Sequence, residues 1–232
     1  MIKNFLLSLS FISRLPLNIN VNDFDRRVKK LPSFFPLVGY IVGSIYYLGA
    51  LSNNLALKVF FLVLAFYFFD LFHFDGFLDT LDGFLNQSTK EKRLEIMSKG
   101  DVGPFAVFFG TLFVVVFWNL YLNANPFYFF ISSTFGRYSM VLLMAFSKPA
   151  KKEGLGALFF PFEKKNLLIS TIFTFFLIIF FKQYIISLTV TLITTYLISK
   201  IATSKIGGVT GDVLGGTCLF VNGLILLILE VV

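Results

Sequence analysis

The chain has 232 residues, 56% of them hydrophobic and 14% charged, against about 25% charged in an ordinary soluble domain. Phe alone occurs 33 times; a soluble fold of this size would leave much of that apolar surface in water, so the composition points to lipid as solvent. One His and one Cys exclude a disulfide framework and a His/Cys zinc cluster, and the net charge of +7 is read through its distribution between loops rather than as a nucleic-acid surface.

Residues 1–15 form an apolar segment that reads as an interfacial helix lying along the membrane. Arg14 and the charged stretch 22–30 follow without a small-residue cleavage site, so no signal peptide is expected. A helix needs about 20 apolar residues to cross the hydrocarbon core. Seven stretches approach this: 34–52, 56–73, 104–122, 127–146, 167–181, 184–202 and 216–232. The expected fold is therefore all-α, a polytopic transmembrane helical bundle of about seven spans plus the N-terminal helix, forming a single integral membrane domain over 1–232.

With the N-terminus placed inside, 17 of the 20 Lys and Arg residues fall in the inner segments. That bias fixes the orientation: N-terminus in the cytoplasm, C-terminus outside, in the cell (inner) membrane. The outer loops are tiny, around 53–55, 123–126 and 182–183. The long inner loops hold nearly all the Gly, Asp and Glu outside the spans, so the active site is expected to face the cytoplasm. The Phe runs 127–130 and 173–181 read as lipid-facing bulk.

The most informative stretch is His73-Phe74-Asp75-Gly76-Phe77-Leu78-Asp79-Thr80-Leu81-Asp82-Gly83. Asp75, Asp79 and Asp82 stand at i, i+4 and i+7, which places three carboxylates on one helix face. Like charges so close repel unless a cation lies between them, and bare carboxylates at a membrane boundary are costly. A divalent cation resolves both problems. Mg²⁺ takes one or two protein carboxylates and completes its shell with water and substrate phosphates. The competing reading is a solvated helix face, but such faces mix charge signs and this one does not. Gly76 and Gly83 would admit a neighbouring helix or a phosphate.

A second signature is Gly207-Gly208-Val209-Thr210-Gly211-Asp212-Val213-Leu214-Gly215-Gly216. Its glycines expose backbone N–H groups that can cradle phosphate oxygens, with Asp212 a further metal carboxylate and Thr210 a hydroxyl for phosphate. No Gly-Lys-Ser/Thr follows, so it is not a Walker A loop; the alternative is a flexible connector. Arg137 lies within a span, where an ionisable group implies a partner: a phosphate, an active-site Asp, or Asp70 in a structural ion pair. Arg14 either reaches a phosphate or snorkels. His73 beside the carboxylates reads as a hydrogen-bonding neighbour more than as the base. Lys152-Glu153-Gly154-Leu155-Gly156 completes the set of inner polar motifs.

Together these stretches resemble the cobalamin synthase family of adenosylcobinamide-GDP ribazoletransferases. The resemblance runs through FISRLP (11–16), FPLVG (35–39), HFDGFLDTLDG (73–83), LEIMSKGDVGPF (94–105), Gly136-Arg137, EGLG (153–156) and GGVTGDVLGG (207–216). It departs around 98–103, where the acid Asp101 stands two places later than the family pattern. The resemblance implies that adenosylcobinamide-GDP reacts with α-ribazole or its 5′-phosphate, giving adenosylcobalamin or its 5′-phosphate and GMP, with Mg²⁺ as cofactor. Carried over by position, Asp75, Asp79 and Asp82 are the catalytic residues and, with Asp212, hold the metal; Asp79 or Asp82 takes the proton of the attacking hydroxyl. Substrate contacts are implied for Arg14, His73, Thr80, Arg137, Glu153, Gly154, Gly208, Thr210 and Gly211. The partners are then the two substrates and the lipid bilayer, with no nucleic acid; a homo-oligomer is compatible with this reading.

Two other classes stay open. A CDP-alcohol phosphotransferase also uses spaced Asp residues, but Asp79-Thr80 stands where its Ala-Arg would be. A transporter would place broken helices and charges at mid-membrane, whereas here the acids gather at one face.

Overall fold

In the computed structural model the protein is described for residues 1–176 and 181–232. The helices in chain order are α1 (Ile2–Phe11), α2 (Phe24–Val28), α3 (Phe35–Leu51), α4 (Leu55–Ala65), α5 (Leu71–Leu85), α6 (Lys90–Lys99), α7 (Pro104–Asn123), α8 (Tyr128–Phe146), α9 (Lys164–Thr174), α10 (Phe181–Ile206) and α11 (Gly211–Val231). Among the described residues there is no β-strand, only an isolated parallel bridge between Pro149 and Val209. The all-α expectation holds.

Local chemistry sets several boundaries. Asn54 caps α4 by accepting from the amides of Ala56 (2.8 Å) and Leu57 (3.3 Å). Thr89 caps α6, whose other end closes on Gly100 at φ 68°. Pro104 opens α7 at a position where the missing N–H costs nothing.

Six helices of the described residues are long and apolar enough to cross a membrane: Leu31–Leu51, Leu55–Leu85, Pro104–Asn123, Tyr128–Phe146, Lys182–Ile206 and Gly211–Val231. The chain is thus a multi-pass membrane protein. The span expected over 167–181 overlaps the 11-residue α9, which ends at Thr174, and reaches Phe181 at the start of α10; residues 177–180 of it lie outside the described residues.

Burial sorts the spans into two shells. α8 and α11 form the centre, 83% and 67% buried over their apolar windows, whereas Leu55–Leu85, α7 and α10 turn most of theirs outward. The outward residues, such as Phe60, Phe108, Val115 and Ile193, are large and apolar, as lipid contact requires. Phe129, expected among lipid-facing bulk, is instead fully buried, packed by ring contacts with Tyr46, Phe117 and Tyr121. Composition marks a Phe as apolar; helix rotation decides which solvent it meets.

Helices approach one another through small residues. A Cβ on Gly39 would stand 2.5 Å from Thr134 Cα, and one on Gly43 2.7 Å from Phe130 Cα, so α3 and α8 touch backbone to backbone as small-xxx-small pairs allow. Gly43→Val is accordingly expected to destabilise the protein by about 1–3 kcal/mol through overpacking. The midpoint of thermal unfolding in detergent checks this, and an unchanged midpoint would contradict the packing described.

α4, a single π turn (Phe66–Asp70) and α5 make one continuous helix of 31 residues. At 1.5 Å per residue it is about 46 Å long, well beyond a hydrocarbon core of about 30 Å. Twenty residues from Leu55 lead to Asp75, so the helix carries Asp75, Asp79 and Asp82 at and past the membrane boundary.

Candidate active site

The inner segments converge at this end. Lys148 and Ala150 exchange backbone hydrogen bonds with Val209, each 2.9 Å, which ties the loop after α8 to the loop before α11. A Cβ on Gly76 would stand 2.7 Å from the Asp212 carbonyl oxygen, and one on Gly216 2.9 Å from Phe77 Cα. α5 and α11 therefore cross at closest approach beside their acidic residues. Gly215 and Gly216, expected in a phosphate-binding loop, lie inside α11 and serve this crossing. Gly83 likewise admits Met97 of α6 rather than a phosphate.

Two adjoining cavities open there. The first, about 230 Å³, is lined by His73, Asp75, Gly156, Gly211 and Asp212 with an apolar floor that includes Phe72 and Met140. The second, about 300 Å³, is lined by Lys151, Glu153, Gly154, Thr210, Gly211 and Asp212. Asp212 and Gly211 form the wall between them.

Asp75 is exposed to the first cavity and Asp79 is half-buried one turn on. Neither accepts a hydrogen bond from the protein or pairs with a cation among the described residues. The negative charges of Asp212, Asp75 and Asp82 all act on Asp79, and among the described residues Lys151, near Asp212, is the cation that acts on the cluster.

Asp82 departs from the expected triad. It is buried, its Oδ2 accepting from the amide of Gly103 (2.6 Å) and its Oδ1 from that of Ala106 (3.0 Å). Both oxygens serve the open N-terminus of α7, where an anion meets unpaired N–H groups and the positive end of the helix dipole. The i, i+4, i+7 spacing placed Asp82 on the right face of α5 but could not foresee that α7 begins against it. Asp82→Asn is expected to cost about 1–2 kcal/mol, a lost charged cap. A fall in thermal midpoint with transfer activity largely retained checks the assignment.

The α11 N-terminus sits against both cavities. Thr210 is the cap, accepting from the Val213 amide (3.3 Å) and donating to Asp212 Oδ2 (3.1 Å). Its proton is thereby directed to Asp212, while the residue itself lines the second cavity. The amides of Gly211 and Asp212, in the first turn, have no helical carbonyl to bond and suit an anion. Gly208 has φ 157°, and a Cβ there would collide with the Lys148 carbonyl oxygen. It is Gly so that the 148–150 segment can pair with Val209.

Arg137 is also corrected. Its Nη2 donates to Asp70 Oδ1 at 2.5 Å, both residues fully buried. Asp70 also accepts from Tyr46 Oη at 2.5 Å and stands 3.5 Å from His73 Nδ1. Arg137 is an ion-pair partner inside the bundle and lines neither cavity. The sequence had named Asp70 as one of its possible partners. His73 is 4% exposed and lines the first cavity from that network. Thr80 Oγ1 is buried without a partner and lines neither cavity. Arg14 is exposed and stacks over Tyr67 (4.5 Å) and Phe72 (5.3 Å), the latter a wall of the first cavity. Glu153 and Gly154 do line the second. Sequence reasoning missed Lys151, whose only signal was its place among the basic residues before Glu153.

Among the described residues no three His, Cys, Asp or Glu side chains stand together as a ready metal cage. The four-carboxylate set expected from the sequence is thus not preformed. The donors that remain are hard carboxylate oxygens, which suit a cation shared between one or two carboxylates and a phosphate ligand.

The profile of the family described as cobalamin-5-phosphate synthase matches residues 4–230. The chain belongs to that family. Similar proteins named adenosylcobinamide-GDP ribazoletransferase occur in Thermosipho melanesiensis, 67% identical with the whole of both chains covered, and in Fervidobacterium nodosum, 53% identical over 99% of this chain and 97% of the relative. A third, from Thermoanaerobacter pseudethanolicus, is 33% identical over 92% and 91%. No solved structure matches the chain. Members of the family thus share the whole span that carries both cavities, and the family match takes the place of the CDP-alcohol phosphotransferase and transporter readings.

Proposed function

We propose that this chain transfers the cobinamide phosphate of adenosylcobinamide-GDP to α-ribazole or its 5′-phosphate, releasing GMP, at a site facing the cytoplasm from the cell membrane. One observation carries the reading. Asp75, Asp79 and Asp212 gather at the N-terminus of α11, beside two cavities at one end of a membrane bundle, with Lys151 near Asp212 the one cation acting on them among the described residues. Diphosphate substrates bring the charge such a site is built to manage, provided a cation comes with them.

Asp75 and Asp212 would hold Mg²⁺, which when bound neutralises charge on the diphosphate and on departing GMP. The other tasks fall to the chain. The first-turn amides of α11 and Lys151 bind and orient phosphate oxygens. The ribazole hydroxyl attacks the phosphorus that stays with the cobinamide; the new P–O bond forms as the bond to the GMP oxygen breaks. Asp79 takes the hydroxyl proton on a carboxylate oxygen, a role left to it because both Asp82 oxygens are occupied. His73, steadied by Asp70, borders the space where the substrates meet.

The test is GMP release by the protein in lipid vesicles, supplied with adenosylcobinamide-GDP, acceptor and Mg²⁺. The expected result is acceptor-dependent GMP and a cobalamin product, both lost with EDTA. Folded protein that forms no product from either acceptor would overturn the proposal.

A further inference from the structure

A third and larger cavity, about 810 Å³, lies between the end of α8, the segment 148–162 and the start of α9. Its volume is within the range of about 300–1,000 Å³ usual for ligand sites. Lys148, Lys152 and Lys164 line it, together with Phe160, Phe162 and Leu167, and no Asp or Glu does. The three lysines form no ion pair among the described residues, although Glu153 and Glu163 adjoin Lys152 and Lys164 in sequence; the lysine ion pairs that do form, Lys92 and Lys99 with Glu95, are on α6. Ala157 is a wall both of this cavity and of the one holding Lys151 and Asp212.

Three unpaired cations around one hollow repel each other, which an anion relieves. The Phe-rich wall offers a flat apolar face for an aromatic ring. An inorganic anion would not use that wall, and an apolar ligand would not use the lysines. Resting on the proposed transfer reaction, we infer that this cavity is a subsite for a nucleoside 5′-phosphate, its phosphate on Lys148, Lys152 and Lys164 and its base against Phe160 and Phe162. Two molecules share that chemistry: the α-ribazole 5′-phosphate acceptor and the guanylyl half of the donor, released as GMP.

The experiment measures binding directly, without turnover, on the full chain in neutral phosphatidylcholine nanodiscs. GMP, α-ribazole 5′-phosphate, guanosine and α-ribazole are titrated against wild type and Lys148→Gln/Lys164→Gln. The lysines are exposed, so the variant is expected to keep its thermal midpoint, and Lys148→Arg/Lys164→Arg provides a charged control that should bind as wild type does. Losing two of the three charge-assisted bonds should raise the dissociation constant of one of the two nucleotides about tenfold or more, leaving its nucleoside unchanged. The nucleotide affected names the occupant. Unchanged affinity for both nucleotides would overturn the inference. So would a variant whose only loss is of binding to nanodiscs containing phosphatidylglycerol, which would make the cavity a lipid-headgroup site. A wild type that binds these nucleotides but transfers nothing would instead count against the proposed reaction alone.

Discussion

Asp79→Asn is expected to lower the rate of GMP release about 10³-fold, in the range seen when a general base is removed and equivalent to about 4 kcal/mol of barrier. Folding should not suffer. Asp79 accepts no hydrogen bond and stands among Asp75, Asp82 and Asp212, so removing its charge relieves repulsion, and the thermal midpoint is expected to stay or rise. A site selected for chemistry at the expense of stability behaves this way. Saturating-substrate turnover and thermal unfolding of the same preparation check both halves. The proton-acceptor role would fail if Asp79→Asn kept most of its activity while Asp82→Asn, at unchanged stability, lost it.

Arg137→Leu is expected to destabilise the protein by about 3–5 kcal/mol, because it strands the fully buried Asp70 as an unpaired charge. The pair joins α8 to the π turn that leads into α5, and such turns recur where a helix must be locally re-aimed toward function. Asp70→Asn combined with Arg137→Leu should recover most of the loss, since the substituted amide would still accept from Tyr46 and no charge would remain. Recovery is favoured further because Arg137 Nε and Nη1 have no protein partner even in the native pair. The four corners of this double-mutant cycle, read by thermal unfolding in detergent, separate the ion pair from simple packing. If Arg137→Leu melted with the wild type, the pair would contribute nothing to holding α5 in register.

The two predictions differ in what made them legible. Asp79 stood out because hydropathy ends a span near residue 73 while acids of one sign continue on one helical face, a pattern readable within eleven residues. Asp82 belonged to the same pattern, yet its partner is the start of a helix 21 residues on. Arg137 was visible as a charge in a span, but Asp70 is 67 residues away, and nothing local distinguishes it from a phosphate. The glycines divided similarly. Their abundance before and within α11 suggested a phosphate loop, whereas most are spent on the crossing with α5 and on the bridge to residues 148–150.

By itself the sequence determined the class of solvent, most of the spans and the gathering of polar motifs at one end, because these depend on composition and on periods of a few residues. The resemblance carried in those motifs reached the family as well. Only the tertiary structure decided which charged and hydroxyl groups the fold itself engages. Asp82, Thr210 and Arg137 bond a helix end, a capping amide and a buried carboxylate, while Asp75, Asp212 and Lys151 line the cavities and Asp79 stands half-buried one turn from Asp75. The physical reason is that a polar group is satisfied by whatever the fold brings within about 3 Å of it, and that distance is set by long-range helix packing which no local pattern encodes.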